Sequence, residues 1–385
     1  MAGPPAGLVH ALTVGMLGIR LGRGDLRLGR VSVEEGAGTM RGSTALRHRI
    51  ASRVEDLDAP AWDSVVSKPL MRYEALRALD EVTVGSNAAY ALVSDQDGPY
   101  AAISAAQSAD LPFMITVAPN SGRSGGIQLR KGVDFDAALP RLMPTLSRMA
   151  RRFGAIAIEV LVRDEECTVY RKHGFADFPA APATRTDLAP FASYDDFLSR
   201  LPSAGRKDLR RTRRRSEEYG LRFEVTSPPR AGAAELYALL DETFEAHSEA
   251  NPFKPGFFER IWAAPFVEHV LFSAYLGDRL VAGVAGFRDG DQMSLPFCAL
   301  NYEVARPSYA YFSMYDEILR YAFGQGVRFI DWGTTNDAIK MRYGAHAVAM
   351  SSVVRPAVPL PSFAWQRIAA MLRTPFGERL LQMTG

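Results

Sequence analysis

Two hydrophobic periods alternate along this chain, and the order in which they alternate repeats. Residues 89–94 (AYALVS) and 100–105 (YAAISA) are short apolar runs, and the intervening Asp95-Gln96-Asp97-Gly98 has the composition of a tight hairpin turn. From Phe135 to Phe153 the apolar residues Leu139, Leu142, Met143, Leu146 and Met149 recur every three or four positions, which predicts a helix ended by Gly154. Residues 155–162 (AIAIEVLV) then read as a buried strand, and 170–175 (YRKHGF) as the close of the unit. Further along, residues 270–276 and 280–287 form a second predicted hairpin across Gly277-Asp278. Residues 293–300 (MSLPFCAL) follow as a strand in which Pro296 implies an edge or a bulge. A helix is predicted over 309–323, with Phe312, Tyr315, Ile318, Leu319 and Ala322 on one face, then a strand over 327–332 and the segment Lys340-Met341-Arg342-Tyr343-Gly344.

Hairpin, long helix ending at glycine, buried strand, short closing segment: the order occurs twice, as expected of a duplicated mixed α/β unit. The Ala-, Pro- and Thr-rich residues 179–190 read as the linker, followed by helices over 194–201 and 205–219. The expected division is a poorly ordered extension over 1–44 with Met40 as an alternative start, units over 45–188 and 189–352, and a C-terminal helix over 353–385.

Composition narrows the class. The chain has 385 residues, 47% hydrophobic and 23% charged, as in globular enzymes. Its two cysteines, Cys167 and Cys298, have no metal-ligand or disulfide spacing and suit a reducing cytoplasm. No run is long and apolar enough to span a bilayer, and residues 7–21 lack the basic start and cleavage site of a signal peptide.

Charge is far from evenly spread. Residues 206–215 (RKDLRRTRRR) contain seven basic residues and one acidic one, in a chain whose formal net charge is +2. Such a concentration repels itself unless acidic neighbours or a bound anion offset it. It is either a solvated helix face salted by Glu217 and Glu218, or a phosphate-recognising element with Arg206, Arg210, Arg211 and Arg214 as its donors. The absence of interleaved aromatics argues against sequence-specific DNA binding.

Three segments carry a family resemblance: 201–224 (LPSAGRKDLRRTRRRSEEYGLRFE), 326–344 (GVRFIDWGTTNDAIKMRYG) and 170–175 (YRKHGF). They resemble the GNAT acyltransferase superfamily in its tandem, FemAB-like form, of the peptidoglycan biosynthesis and recognition type, over residues 45–350. The resemblance implies an α/β (α+β) fold of two GNAT-like units, each a mixed, mostly antiparallel sheet flanked by helices. It also implies an N-acyltransferase of the EC 2.3 class that moves an acyl group from an acyl-CoA-type donor to an amine of a small molecule or peptide, without a metal. An aminoacyl-tRNA-dependent Fem-type ligase and a non-catalytic scaffold are the alternatives. Units that bind acetyl-CoA carry a Gly-rich turn before the central helix; here Arg306-Pro307-Ser308-Tyr309-Ala310 has no glycine, and the Gly-rich 120–126 precedes a strand-like stretch.

The residue types allow a provisional cast. The start of the second helix, with Arg306, Ser308 and Tyr309, offers backbone N–H groups and the positive end of a dipole, or is an ordinary capped helix. Asp331 ends a buried strand, facing a cleft or capping a turn. Lys340 matches the family's lysine near donor or substrate, with Tyr343 beside it. His247, in a stretch that Asn251-Pro252 and Pro255-Gly256 mark as a loop, is an acceptor-binding or base candidate or a solvated histidine. Cys298 reads as a small buried apolar residue. The stretch 362–383, with Phe363, Trp365 and Ile368 interleaved with Arg367, Arg373 and Arg379, fits a peripheral membrane or homodimer contact, or packs back on the protein.

Overall fold

The computed structural model describes residues 34–37, 45–84, 87–107, 112–119, 122, 124–229, 232–333 and 337–374. The chain forms two compact units, one from Met1–Ser67, Gly85–Ala180 and Ser351–Gly385, the other from Lys68–Val84 and Ala181–Met350. These differ from a simple split at residue 188 because two segments are claimed by distant cores. The helix Tyr73–Val82 buries Ala75, Ala78, Leu79 and Val82 with Leu236, Phe253 and Phe257 of the second unit. The helix Ser362–Leu372 buries Ile368, Ala369 and Leu372 with Phe178 and Val354 of the first.

In the first unit the strands Glu34–Ala37, Arg47–Ala51, Asn87–Asp95 and Gly98–Gln107 pair antiparallel in succession. Residues 34–37, expected within the poorly ordered extension, are thus a strand; the rest of 1–44 lies outside the described residues. Met114–Thr116 pairs antiparallel with Gly98–Gln107 and parallel with Ala157–Arg163. The helix Phe135–Arg152 is capped by Asp134, whose carboxylate accepts from the Ala137 N–H, and it buries Leu139, Leu142, Leu146 and Met149. Pro140 and Pro144 both stand on its exposed side, where solvent can serve the carbonyls they leave unpaired.

The first hairpin is held by a buried carboxylate. Arg130 donates to both oxygens of Asp95 (3.1 and 2.9 Å), and the Asp97 N–H donates to the same side chain at 2.9 Å. The Arg130 hydrogen bonds outweigh burial and hold the Asp95 carboxyl below the usual carboxylate range. A depressed folded-state value gives stability that is present above the unfolded value of about 4 and is lost as pH falls through the folded one. Urea midpoints between about pH 2 and 6 should therefore fall more steeply on acidification in the wild type than in Asp95→Asn.

The expected linker is a strand. Ala176–Asp187 buries Phe178, Thr184 and Thr186 in alternation, and Arg185, Thr186 and Asp187 pair antiparallel with Asp331, Ile330 and Phe329. Pro179 and Pro182 precede that paired stretch, so neither removes a donor from it.

In the second unit Leu221–Thr226, Glu268–Leu276, Arg279–Asp289 and Gln292–Leu300 form an antiparallel run, and Phe329–Asp331 joins it in parallel. The helices Ser203–Glu218 and Ala310–Gly324 cover one face, with Leu209, Met314, Ile318 and Leu319 buried against Phe272 and Val284. The helices Ala233–Ala246 and Phe257–Ala263 cover the other, with Leu236, Leu239 and Phe258 buried against Leu271 and Ala299. Among the described residues, no helix is long and apolar enough to cross a membrane.

Candidate active site

A bulge opens the candidate site. Leu295 and Pro296 together oppose the single residue Gly286, since Phe287 pairs with Ser294 and Ala285 already with Phe297. Strict alternation would send positions 293, 295, 297 and 299 to one face. Instead Met293 and Leu295 lie in the core under the central helix, while Phe297 and Ala299 lie in the opposite one. Cys298 and Leu300 consequently turn toward the central helix. Gly286 is required here: a Cβ would stand 2.1 Å from the Ser294 carbonyl oxygen.

Beyond the bulge the parallel pair parts. Pairing between the two strands ends at Ser294 with Asp331, although Gln292–Leu300 runs on to Leu300. The resulting notch lies at the carboxyl ends of parallel strands, beside the start of the crossover helix, a common place for ligands in α/β sheets. Aromatic rings pack in the core beside it. Trp332 stacks on Tyr315 (4.4 Å between centroids, 23° between planes), and Tyr343 lies 5.5 Å from Tyr315. Lys340 is buried and donates from Nζ to the Trp332 carbonyl at 2.8 Å. Burial pushes the Cys298 thiol up to about 12, with the Lys340 charge pulling the other way. The thiol therefore stays protonated near neutral pH and is not a nucleophile there.

The basic helix Ser203–Glu218 splits its arginines between tasks. Arg206 donates to the Ser199 and Leu201 carbonyls (2.7 Å each), satisfying the end of the helix Tyr194–Arg200. Arg213 reaches the buried Asp316 at 2.6 Å, alongside Glu217 and Glu317. These two arginines turn inward, so Arg206 does not belong to the outward set of donors expected above. Lys207, Arg210, Arg211 and Arg214 form the exposed stripe, with Arg211 paired to Asp208 and Arg214 to Glu218 at 3.5 Å. Arg215, absent from the expected set, lies over the Tyr309 ring (5.1 Å) and donates to its hydroxyl.

Asp208, the lone acid in the basic run, joins that helix to the Lys340 segment. Its Oδ2 accepts from the Tyr343 hydroxyl at 2.9 Å and from Arg342 at 3.2 Å. Gly205 makes the approach possible, since a Cβ there would meet the Arg342 carbonyl oxygen at 2.6 Å. Burial works against the charged form of Asp208, yet the Tyr343 and Arg342 hydrogen bonds and the neighbouring arginines together hold its carboxyl below the usual range. Burial first, and then Asp208, push the Tyr343 phenol above its ordinary value.

Several expected donors are already engaged. Ser308 is wholly buried; its hydroxyl donates to the Val304 carbonyl at 2.6 Å, and its own carbonyl accepts from Ser216. It is neither the helix cap nor exposed to a ligand. Tyr309 takes the cap position with a left-handed φ of 59° and makes no side-chain cap. Asp331 is exposed and accepts from the Gly333 N–H at 2.9 Å, the turn-capping geometry rather than a cleft-facing one. Thr334 and Thr335, in the same loop, lie outside the described residues. His247 is exposed and its Nε2 lies 2.8 Å from the Tyr302 hydroxyl, while Arg306 stands 5.0 Å over the Tyr302 ring. Of the expected site residues, the structure brings Lys340 and Tyr343 together at the notch and links His247 and Arg306 through Tyr302. It assigns Arg206 elsewhere. Asp208, Arg215, Tyr302, Tyr315 and Trp332 complete the neighbourhood; Asp208 had a distinguishing signal in the sequence as the odd charge in its run, and Tyr302 and Tyr315 as members of the tyrosine cluster 302, 309, 311 and 315.

A shallow groove of ≈ 460 Å³, lined by residues 192–195 with Arg320, Phe323 and Gly324, lies at the other end of the central helix. Its Tyr194 and Arg320 are bound to Asp316, so it offers less chemistry than the notch.

The fold agrees with the comparisons. Residues 203–343 match the family model described as the acetyltransferase (GNAT) domain. No curated protein matches the chain. Among solved structures, the C-terminal domain of a putative lysylphosphatidylglycerol synthetase from Agrobacterium fabrum is 13% identical, covering 84% of this chain and 97% of that one at a TM-score of 0.55. FemX is 14% identical, with 82% and 98% covered and a TM-score of 0.55. A tandem GNAT protein from the clavulanic acid biosynthesis pathway is 11% identical, with 82% and 100% covered and a TM-score of 0.50. At these identities the fold is what is shared. Residues 203–343 match the GNAT domain model, and the chain shares the fold of FemX and of a tandem GNAT protein.

Proposed function

We propose that the second unit is an N-acyltransferase that moves an activated acyl group from a phosphate-bearing carrier to an amine. The observation that supports it is the notch where the parallel strands part, which has the buried Lys340 beside it and the exposed Arg306 and Arg215 near the start of the central helix. In such a transfer the amine nitrogen attacks the carbonyl carbon, the C–N bond forms, and the C–S or C–O bond to the carrier breaks. The amine loses a proton and the departing atom gains one. Lys340 would offset negative charge on the carbonyl oxygen, and Tyr343, held by Asp208, would keep the Lys340 segment in place. Asp331 would act through the turn it caps.

A charged tRNA as carrier is favoured over coenzyme A by the backbone before the central helix. Pro307 has no N–H, the Ser308 N–H donates to Val304 and the Tyr309 N–H to Arg306, so the turn before the helix adds no bare amide of its own to those of the helix's first turn, where a compact diphosphate would be cradled by more. The exposed stripe of Lys207, Arg210, Arg211 and Arg214 suits a longer phosphate backbone.

Thermal denaturation with acetyl-CoA, longer acyl-CoAs and charged tRNA separates the readings. A carrier at 100 times its Kd should add about 2.7 kcal/mol to stability and raise Tm. Stabilisation by charged tRNA that declines with salt supports the aminoacyl reading; stabilisation by acyl-CoA alone supports the thioester reading. If no carrier binds, and replacing Asp331 and Lys340 leaves the cellular phenotype intact, the unit is a scaffold.

A further inference from the structure

We infer that Arg211 and Arg342 form a subsite for one phosphate of the carrier, and that Asp208 keeps this subsite closed until the carrier arrives; the inference rests on the acyl-transfer reading. Two guanidiniums from different elements meet on a single carboxylate. Arg211, on the helix Ser203–Glu218, pairs with Oδ1 of Asp208, and Arg342, at the end of the helix Asp337–Arg342, reaches Oδ2 at 3.2 Å. Two guanidinium forks converging on one anion is also the arrangement that grips a phosphodiester. Asp208 occupies, from within the chain, the place such a phosphate would take. Among the described residues, it is the one acid in an ion pair with either arginine.

Exposure separates the partners. The Asp208 side chain is 11% exposed, whereas those of Arg211 and Arg342 are 50% and 54% exposed. The guanidiniums can swing to an incoming anion and the carboxylate cannot follow. Arg211 also belongs to the exposed stripe with Lys207, Arg210 and Arg214, so a phosphate backbone lying along that stripe passes beside the pair. The exchange deprives a mostly buried carboxylate of its cations, which is unfavourable. The pair is therefore a brake on carrier binding, released only by an anion that offers the two arginines more than Asp208 does.

The same carboxylate reaches the site. Its Oδ2 accepts from the Tyr343 hydroxyl at 2.9 Å, and Tyr343 is buried beside Tyr315 in the segment that carries Lys340. With both arginines in place the carboxylate serves three donors. Once a phosphate draws the arginines away, the Tyr343 hydroxyl is the donor that remains on an ionised acceptor, and that is the stronger kind of hydrogen bond. Seating the carrier thus tightens the anchor of the Lys340 segment. No covalent bond is made or broken and no proton moves; the arginines exchange one anionic partner for another. Asp208 is in this sense a positioning residue that acts on Lys340 through Tyr343.

Asp208→Asn in the full chain separates the two roles, because Asn keeps a carbonyl oxygen that can accept from Tyr343 and loses the charge that binds the arginines. The probes are unfractionated deacylated tRNA and coenzyme A. With whichever probe the wild type binds, Asp208→Asn should lower Kd about 3- to 10-fold, the effect of releasing two partly exposed ion pairs. In an Arg211→Gln/Arg342→Gln background Kd should rise, and the gain from Asp208→Asn should vanish because no guanidinium is left to release. Those two arginines are half exposed, so this background should fold even where an Asp208 variant is perturbed. Asp208→Ala should bind the probe as tightly as Asp208→Asn, yet turn over its acylated form about 10-fold more slowly, since Tyr343 has then lost its acceptor. An equal gain from Asp208→Asn in both backgrounds reports overall charge alone and overturns the subsite. An unchanged Kd in the wild-type background overturns it too, and either result leaves acyl transfer standing. Equal turnover in Asp208→Asn and Asp208→Ala overturns the link to Tyr343. A wild type that binds neither probe removes the transfer reading, and this subsite with it.

Discussion

Asp316→Ala is expected to lower the unfolding free energy by about 3 kcal/mol, read as a fall in the denaturant midpoint. Asp316 is 2% exposed and accepts from three elements at once: Tyr194, Arg213 at 2.6 Å and Arg320 at 2.9 Å. Removing the carboxylate leaves two guanidiniums and a phenol facing a small cavity. Because Arg213 and Arg320 are 37% and 45% exposed, they can turn partly to water, which keeps the loss near the lower end for a broken buried pair. Glu217→Ala is the control: Glu217 is 59% exposed and also pairs with Arg213, and its removal should cost under about 1 kcal/mol. Equal small effects from the two substitutions would show that Asp316 does not anchor the basic helix.

Gly286→Ala should be at least as damaging, about 3 kcal/mol, and should close the notch as well. The new methyl would lie 2.1 Å from the Ser294 carbonyl oxygen, 2.8 Å from a Leu295 methyl and 3.0 Å from the Leu295 Cα. The Leu295 side chain can move; the two backbone atoms belong to the bulge and cannot move without undoing it. Gly290→Ala is the comparison. It also lies in this hairpin, but nothing stands within 4 Å of a Cβ there, so only the left-handed φ of 62° is penalised, by about 1–2 kcal/mol. The prediction fails if the two variants unfold at the same denaturant concentration. A loss confined to Gly286→Ala, accompanied by loss of carrier binding, would tie the bulge to the site.

Local patterns made much of the fold legible. The helix expected over Phe135 to Phe153 is Phe135–Arg152, and the one expected over Tyr309 to Phe323 is Ala310–Gly324. Both carry a strong apolar stripe and end close to the glycines that were expected to stop them. The hairpins were equally readable from turn chemistry, and Pro296 correctly marked a bulge. The strand Ala176–Asp187 was not readable, because its prolines and alanines hide an alternation that matters only once Phe329–Asp331 lies beside it.

The candidate site was less legible, for a reason visible in particular residues. Lys340 and Tyr343 stood out by residue type and family resemblance. Ser308 stood out equally, yet its hydroxyl is used within its own turn. Arg206 and Arg210 look alike in the sequence; one satisfies carbonyls of the preceding helix and the other is exposed. Residue type sets what a side chain can do, and its partners decide whether that capacity is already used.

The sequence alone determined most of the elements, their repeated order and the concentration of positive charge, since these follow from periodicity, turn residues and composition within short windows. Tertiary structure alone decided which arginines reach solvent, that Asp208 holds Tyr343, that Tyr302 meets His247, and that the two strands part at Ser294 and Asp331. Each of those outcomes depends on where a residue remote in the chain, or an opposing backbone such as that of Gly286, comes to rest, and no local pattern encodes that position.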